Sequence, residues 1–297
     1  MSHEKLHRLS ARYETYQGNV STGYLNAAHV FRREAVSSFE AAIYNPFICL
    51  ILQGRKEIHI GQKSVSLVPG DAFLVSHDLP VTAKILEASP ETPYRALVFS
   101  LDLGILRSLY EQVGEVISEE ATATVSTTAL STTAADPTYI APMIRYLELM
   151  DSPLDAQVLG PAIVREIHFR LLMSPIGGML RNLLSVDSHA SRIAKAIIRI
   201  RNKFHEPLVV AELAKIASMS PSSFHEHFKS VTGTTPLQYQ KDLRMIEARE
   251  ILMRGACSVS TAGFEVGYES PTHFSRDYSR KFGCSPKHHL AQTKSPP

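Results

Sequence analysis

Two stretches in the last third of the chain carry one pattern, fifty residues apart. The first runs Ser220-Pro221-Ser222-Ser223-Phe224, then Phe228, Gly233 and Pro236; the second runs Ser270-Pro271-Thr272-His273-Phe274, then Tyr278, Gly283 and Pro286. Serine followed by proline suits a helix N-cap and a first-turn residue whose missing N–H costs nothing there. Aromatics four apart fall on one helix face, and the glycine can take the left-handed conformation that closes a helix. A shorter apolar-patterned stretch precedes each copy. The echo therefore predicts two helix-turn-helix units, at about 210–232 and 259–282, joined by a long helix over Pro236–Met253.

Charge sets this region apart. Residues 190–297 hold sixteen Lys and Arg against nine Asp and Glu, whereas residues 1–189 hold fifteen against twenty. A basic module on an acidic remainder suits a polyanion partner on one side only. The net charge of +2 hides this division. No apolar run is long enough to span a bilayer, so no membrane partner is expected, and the opening residues lack the apolar core of a secretion signal. Three cysteines, Cys49, Cys257 and Cys284, are too few and too scattered for a disulfide framework and fit a reducing cytoplasm.

Upstream, Phe47–Phe99 reads as short strands separated by turns: an apolar run from Phe47, alternation in Glu57-Ile58-His59-Ile60, and a turn at Pro69-Gly70-Asp71. A sandwich or small barrel is expected over residues 1–137. The Thr/Ser/Ala-rich stretch Ala121–Asp136 reads as a loop with one edge strand. Residues 138–189 change to helical spacing, with Ile140, Met143, Ile144 and Leu147 marking one helix and Val158, Ile163, Ile167 and Leu171 a second. Such a pair serves equally as a relay, a dimer face or internal packing. The fold class is thus α+β, with an all-α module over residues 190–292.

In a helix-turn-helix the second helix enters the major groove and the first crosses the backbone. With Phe224, Phe228, Phe274 and Tyr278 turned to the core, the opposite faces present Ser222, His225 and Glu226 in the first unit and Thr272, His273 and Arg276 in the second as base-contact candidates. Arg276 suits a bidentate grip on guanine, and Glu226, fifty residues earlier, suits cytosine N4 or an internal ion pair. Ser220, Lys229, Lys241, Arg244, Ser270, Arg280 and Lys281 are phosphate-contact candidates, which set register and affinity rather than sequence. Double-stranded DNA is the expected partner, read at successive groove faces about 34 Å apart.

These residues resemble the AraC/XylS family of bacterial transcription regulators over roughly Arg192–His289. Leu213-Ala214, Met219-Ser-Pro-Ser-Ser-Phe-His225, Gly233-Thr-Thr-Pro-Leu-Gln238 and Ala248-Arg249 carry the first half; Val266-Gly-Tyr-Glu-Ser-Pro271, Phe274-Ser-Arg276 and Phe282-Gly283 carry the second. The resemblance implies base contacts from the six positions named above, although Glu226 departs from the Arg or Gln usual there. Tyr44-Asn-Pro-Phe47, Leu52-Gln-Gly-Arg-Lys56, Leu79-Pro-Val81 and Arg165-Glu-Ile-His168 are similar to a subgroup with a cupin-like sensor domain. That similarity implies control by a small-molecule effector of unspecified identity, with RNA polymerase and a second copy of the chain as further partners such a regulator admits.

A cupin-type barrel also admits a metal enzyme, which needs a His-x-His pair with a downstream carboxylate and a further His. The strands offer only His59 and His77, so no enzyme activity, metal or cofactor is expected. Cys49 is a candidate thiolate sensor, against the commoner role of an inert buried thiol. An architectural DNA binder would not need an acidic barrel of this size.

Overall fold

The computed structural model describes residues 2–19, 25–61, 63–120, 128–255 and 257–292. Nine antiparallel strands among them make two sheets. One contains, in spatial order, β1 (Ala28–Arg33), β8 (Tyr94–Ser100), β3 (Phe47–Gln53), β6 (Asp71–Val75) and β9 (Leu130–Ala134). The other contains β2 (Glu40–Tyr44), β7 (Leu79–Glu87), β4 (Arg55–Ile60) and β5 (Lys63–Leu67). The expected edge strand in the Thr/Ser-rich stretch is β9, whereas 121–127 lie outside the described residues.

The five-stranded sheet is buried on both faces, which is why β3 is apolar throughout instead of alternating. Cys49, Ile51, Phe73 and Ala96 face the second sheet, opposite Ile58, Val81 and Ile85. Ile48, Leu50, Leu74, Leu97 and Phe99 face outward, beneath a layer of helices. That layer is α1 (Ser2–Asn19), α2 (Leu103–Glu120), α3 (Pro137–Glu148), α4 (Pro153–Met173) and α5 (Gly178–Leu184). The helical pair expected over 138–189 is therefore part of the sheet's own core. His168 on α4 ties the layer together: its Nε2 accepts from the Asp102 amide at 2.8 Å and its Nδ1 donates to Val164 O at 2.7 Å. Pro161 sits inside α4, where the carbonyl it leaves unpaired belongs to the exposed Gln157.

The basic module follows as α6 (His189–Asn202), α7 (Val210–Ile216), α8 (Pro221–Thr232), α9 (Pro236–Met253), α10 (Val259–Glu265), α11 (Pro271–Phe282) and α12 (Pro286–Gln292). It is docked on the barrel's second sheet. Ala129 N donates to Val231 O at 2.9 Å, Tyr239 Oη donates to Asp78 O at 2.6 Å, and Arg201 pairs with Asp78. His77 is buried at the same seam, between Ser76 Oγ and Ala190 O. One apolar cluster runs through the seam, joining Ile58 and Val81 to Phe228, Tyr239 and Leu243. No helix among the described residues is long and apolar enough to cross a membrane.

Backbone meets backbone at the tightest point of this seam. Gly61, at the turn after β4, has φ +58°, and a Cβ there would lie 2.1 Å from Gly233 O. Gly61→Ala is expected to lower stability by about 2–3 kcal/mol and loosen the seam, from left-handed strain and the clash together. Thermal melting checks this against Gly70→Ala, since Gly70 has φ +95° with open space around it. An equal loss in both variants would trace the effect to backbone strain alone.

Candidate nucleic-acid interface

Both recognition helices, α8 and α11, are built as their sequences require. Ser220 Oγ accepts from Ser223 N and Ser270 Oγ from His273 N, each with proline at the first helical position. Gly233 and Gly283 close the helices at φ +75° and +70°. Phe224, Phe228, Phe274 and Tyr278 are fully buried, so the faces opposite them are turned outward. Ser222, His225, Glu226 and Lys229 are exposed on α8; Thr272, His273, Arg276 and Arg280 are exposed on α11. Glu226 forms no ion pair among the described residues, which leaves the internal-pair alternative without a partner.

The two units are not identical copies. Helices α7 and α10 are displaced by forty-nine residues and α8 and α11 by fifty, so the second turn holds one residue more. In the first unit Ser218 takes the left-handed conformation, φ +54°, and in the second Gly267 does, φ +86°. A side chain at Gly267 would meet His205 O at 2.1 Å, because the segment after α6 is laid across this turn.

That close approach is fastened by Arg244. Its Nε donates to Phe204 O at 2.7 Å, one terminal nitrogen to Gly267 O at 2.9 Å, and the other to His205 O and Glu206 O at 3.1 and 2.9 Å. Gln240 Nε2 donates to two of the same carbonyls. The guanidinium expected at phosphate is thus committed to backbone, for the physical reason that four carbonyls without donors converge on it. Lys241 and Lys281 are likewise engaged: Lys241 with Asp277 at 2.6 Å and Lys281 with Asp242 at 2.7 Å, two ion pairs crossing between α9 and α11. Ser220 and Ser270 spend their oxygens on caps. Lys229 and Arg280 keep exposed heads, although Arg280 also reaches Asp277 at 2.9 Å.

Asp277 is the hub of the second unit, also accepting from Tyr268 Oη at 3.1 Å. Burial raises its pKa, but Lys241, Tyr268 and Arg280 together outweigh burial and hold the carboxyl below its ordinary value. Away from this module, Cys49 is buried in the barrel, and its thiol is pushed up to about 12 by burial, so it stays protonated at neutral pH. A thiolate sensor there meets the wrong environment. No cluster of metal-ligating side chains occurs among the described residues; His59 pairs with Glu57 at 2.5 Å, and His77 serves the seam.

Comparison with known proteins agrees with both halves. A family model described as the N-terminus of AraC-type transcriptional regulators matches residues 25–179, and a helix-turn-helix domain model matches residues 213–292. The first alone spans more than half the chain. The chain belongs to the AraC-type transcriptional regulators. Among the regulator's relatives is ExsA of Pseudomonas aeruginosa, an HTH-type transcriptional regulator 21% identical over 239 residues, 80% of this chain and 84% of that protein. RclR of Escherichia coli, an RCS-specific transcriptional activator, is 35% identical over 106 residues, which span 36% of this chain and only 37% of RclR. ToxT from Vibrio cholerae shares the architecture end to end: one structure covers 90% of this chain and 98% of ToxT, at a TM-score of 0.53 and 11% identity. A second, solved with an unsaturated fatty acid bound, gives 0.56 at 12%. At those identities the likeness is one of fold.

Two outcomes follow from the module's packing. Arg244→Ala is expected to cost on the order of 2–4 kcal/mol by orphaning carbonyls between the units, and Arg244→Lys to recover little, since an ammonium lacks the planar fork; denaturant melts check both. Because the folded-state pKa of Asp277 is lowered, its contribution is present above the unfolded carboxylate value and is lost as pH falls through the folded one. Acid melts below about pH 4 should show a stability loss that is smaller in Asp277→Asn, measured from that variant's own neutral-pH value.

Proposed function

We propose that this regulator binds a specific DNA site through α8 and α11 and that a small molecule held between the barrel's sheets sets how it binds. The observation that carries this reading is the continuity of structure from cavity to DNA module. The cavity, about 220 Å³, opens between the sheets, and Lys56 of β4 lines it. The same strand runs on to Ile60 and Gly61, which abut Gly233 at the end of α8. A change in how β4 sits against the other sheet therefore acts on the first recognition helix without an intermediary. The fatty acid bound to ToxT supports the idea that a protein of this fold takes a ligand.

On the DNA side, Arg276 supplies the main base contact, with Thr272 and His273 beside it, and Ser222, His225 and Glu226 read the first half-site more weakly. Lys229 and Arg280 contribute phosphate contacts. The module works on cytoplasmic DNA. A second copy of the chain is favoured by one feature: Leu154 and Val158, one turn apart on α4, are 69% and 64% exposed. Mass in solution tests that pairing.

Arg276→Ala is expected to weaken specific binding by about 1–3 kcal/mol and to relax preference at one base position. Binding-site selection with the wild type and the variant reads both quantities. Unchanged affinity together with an unchanged site would remove Arg276 from base reading.

A further inference from the structure

The barrel cavity is chemically lopsided. Its walls are apolar, from Phe47, Phe73, Ile85 and Val98, and the charged groups around it are Arg33, Lys56 and Lys84 against Glu40. Lys84 is already paired with Glu57 at 3.4 Å. Lys56 is not: among the described residues no carboxylate lies within ion-pair distance of it. Instead its ammonium sits 5.6, 5.3 and 5.9 Å from the ring centroids of Phe31, Tyr44 and Tyr94. Tyr94 is fully buried in the opposite wall of the cavity, and its hydroxyl has no hydrogen-bond partner. A half-buried cation met only by aromatic faces, beside a sealed hydroxyl donor without an acceptor, is an arrangement that costs stability unless something completes it.

Several ligand classes fail on this geometry. A cationic ligand is excluded because Lys56 already occupies the aromatic cage that would hold it. A sugar needs many hydrogen-bond partners, and these walls are mostly rings and aliphatic side chains. A flat, ring-bearing body suits the cavity better than a flexible acyl chain, because the rings that line it, Phe31, Tyr44, Phe47, Phe73 and Tyr94, offer faces and edges to pack against. What fits is a compact apolar body ending in a group that is anionic and accepts hydrogen bonds.

We propose that the cavity binds a small organic monocarboxylate with a compact, ring-sized apolar body, its carboxylate between the Lys56 ammonium and the Tyr94 hydroxyl. The assignment rests on the barrel being the effector site and adds the chemical class to it. Charge-assisted hydrogen bonds in an apolar site discriminate strongly against an uncharged isostere, because that isostere leaves the cation uncompensated.

The test uses the full-length protein and isothermal titration with phenylacetate, phenylacetamide and phenethylamine, with thermal melts in parallel. Phenylacetate is expected to bind at least ten-fold tighter than either isostere and to raise the melting temperature. Lys56→Met should abolish that preference and Lys56→Arg should keep most of it. Tyr94→Phe should weaken the acid several-fold while the ligand-free protein melts no lower. Amide binding as tight as acid binding overturns the anion assignment and leaves the effector reading standing. So does acid binding that survives unchanged in both Lys56→Met and Tyr94→Phe. If phenylacetate binds as described yet leaves affinity for the selected DNA site unaltered, the site stands and the effector reading falls. Failure of all three probes to bind overturns the assignment.

Discussion

Four backbone carbonyls converge on the guanidinium of Arg244, and the relation between the two helix-turn-helix units rests on that contact. Three of the carbonyls belong to Phe204, His205 and Glu206, in the connector between α6 and α7; the fourth is Gly267, in the turn of the second unit. Arg244 itself stands on α9, the helix that joins the units. One side chain thus pins the entry of the first unit, the turn of the second and the helix between them. The ion pairs of Lys241 with Asp277 and Lys281 with Asp242 repeat the fastening a few ångströms of helix away, between α9 and α11. A bipartite reader needs its two recognition helices at a fixed separation and angle, and these contacts supply the stiffness that short turns alone do not.

The barrel adds a second constraint. Its five-stranded sheet is buried on both faces, by helices outside and by the opposing sheet inside, which makes that sheet the rigid wall. The four-stranded sheet carries Lys56 on the side that faces the cavity and meets α8 and α9 on the other. Ligand contact and module contact therefore fall on the same thin layer. A shared apolar cluster, rather than a linker, joins the two halves, so a shift of β4 has no slack in which to be lost.

Much of this was legible in the sequence and some was not, for identifiable reasons. The units at 210–232 and 259–282 were readable because caps, first-turn prolines and closing glycines are local chemistry, and a fifty-residue echo doubles the signal. The burial of Phe224, Phe228, Phe274 and Tyr278 followed from helical spacing. Helix α1 was missed although Leu6, Leu9 and Tyr13 share a buried face, because its many charged residues mask a narrow stripe. The roles of Arg244, Lys241 and Lys281 could not be read, since a basic residue on a basic module looks the same whether it meets phosphate, carboxylate or carbonyl. Their partners lie about twenty to forty residues away. Cys49 and Lys56 pose the same difficulty: only the fold reveals that the thiol is sealed and that the ammonium faces rings instead of a carboxylate.

The extra residue in the second turn has a consequence for how the module can be recombined. From N-cap serine to closing glycine, α8 and α11 have equal length, equal caps and aromatics at matching positions. Their undersides differ, however: α11 brings Asp277 and Lys281 to Lys241 and Asp242, whereas α8 brings Val231 to Ala129 of the barrel, so only the outward residues between serine and glycine can be exchanged without disturbing what lies beneath. A graft of a whole unit is a different matter. It moves a turn that in one place is shaped around a left-handed serine and in the other around a glycine lying under a neighbouring carbonyl, so it would detach the connector that Arg244 holds. The natural place to alter specificity in this protein is the outward face of each helix, not the boundaries of the repeat.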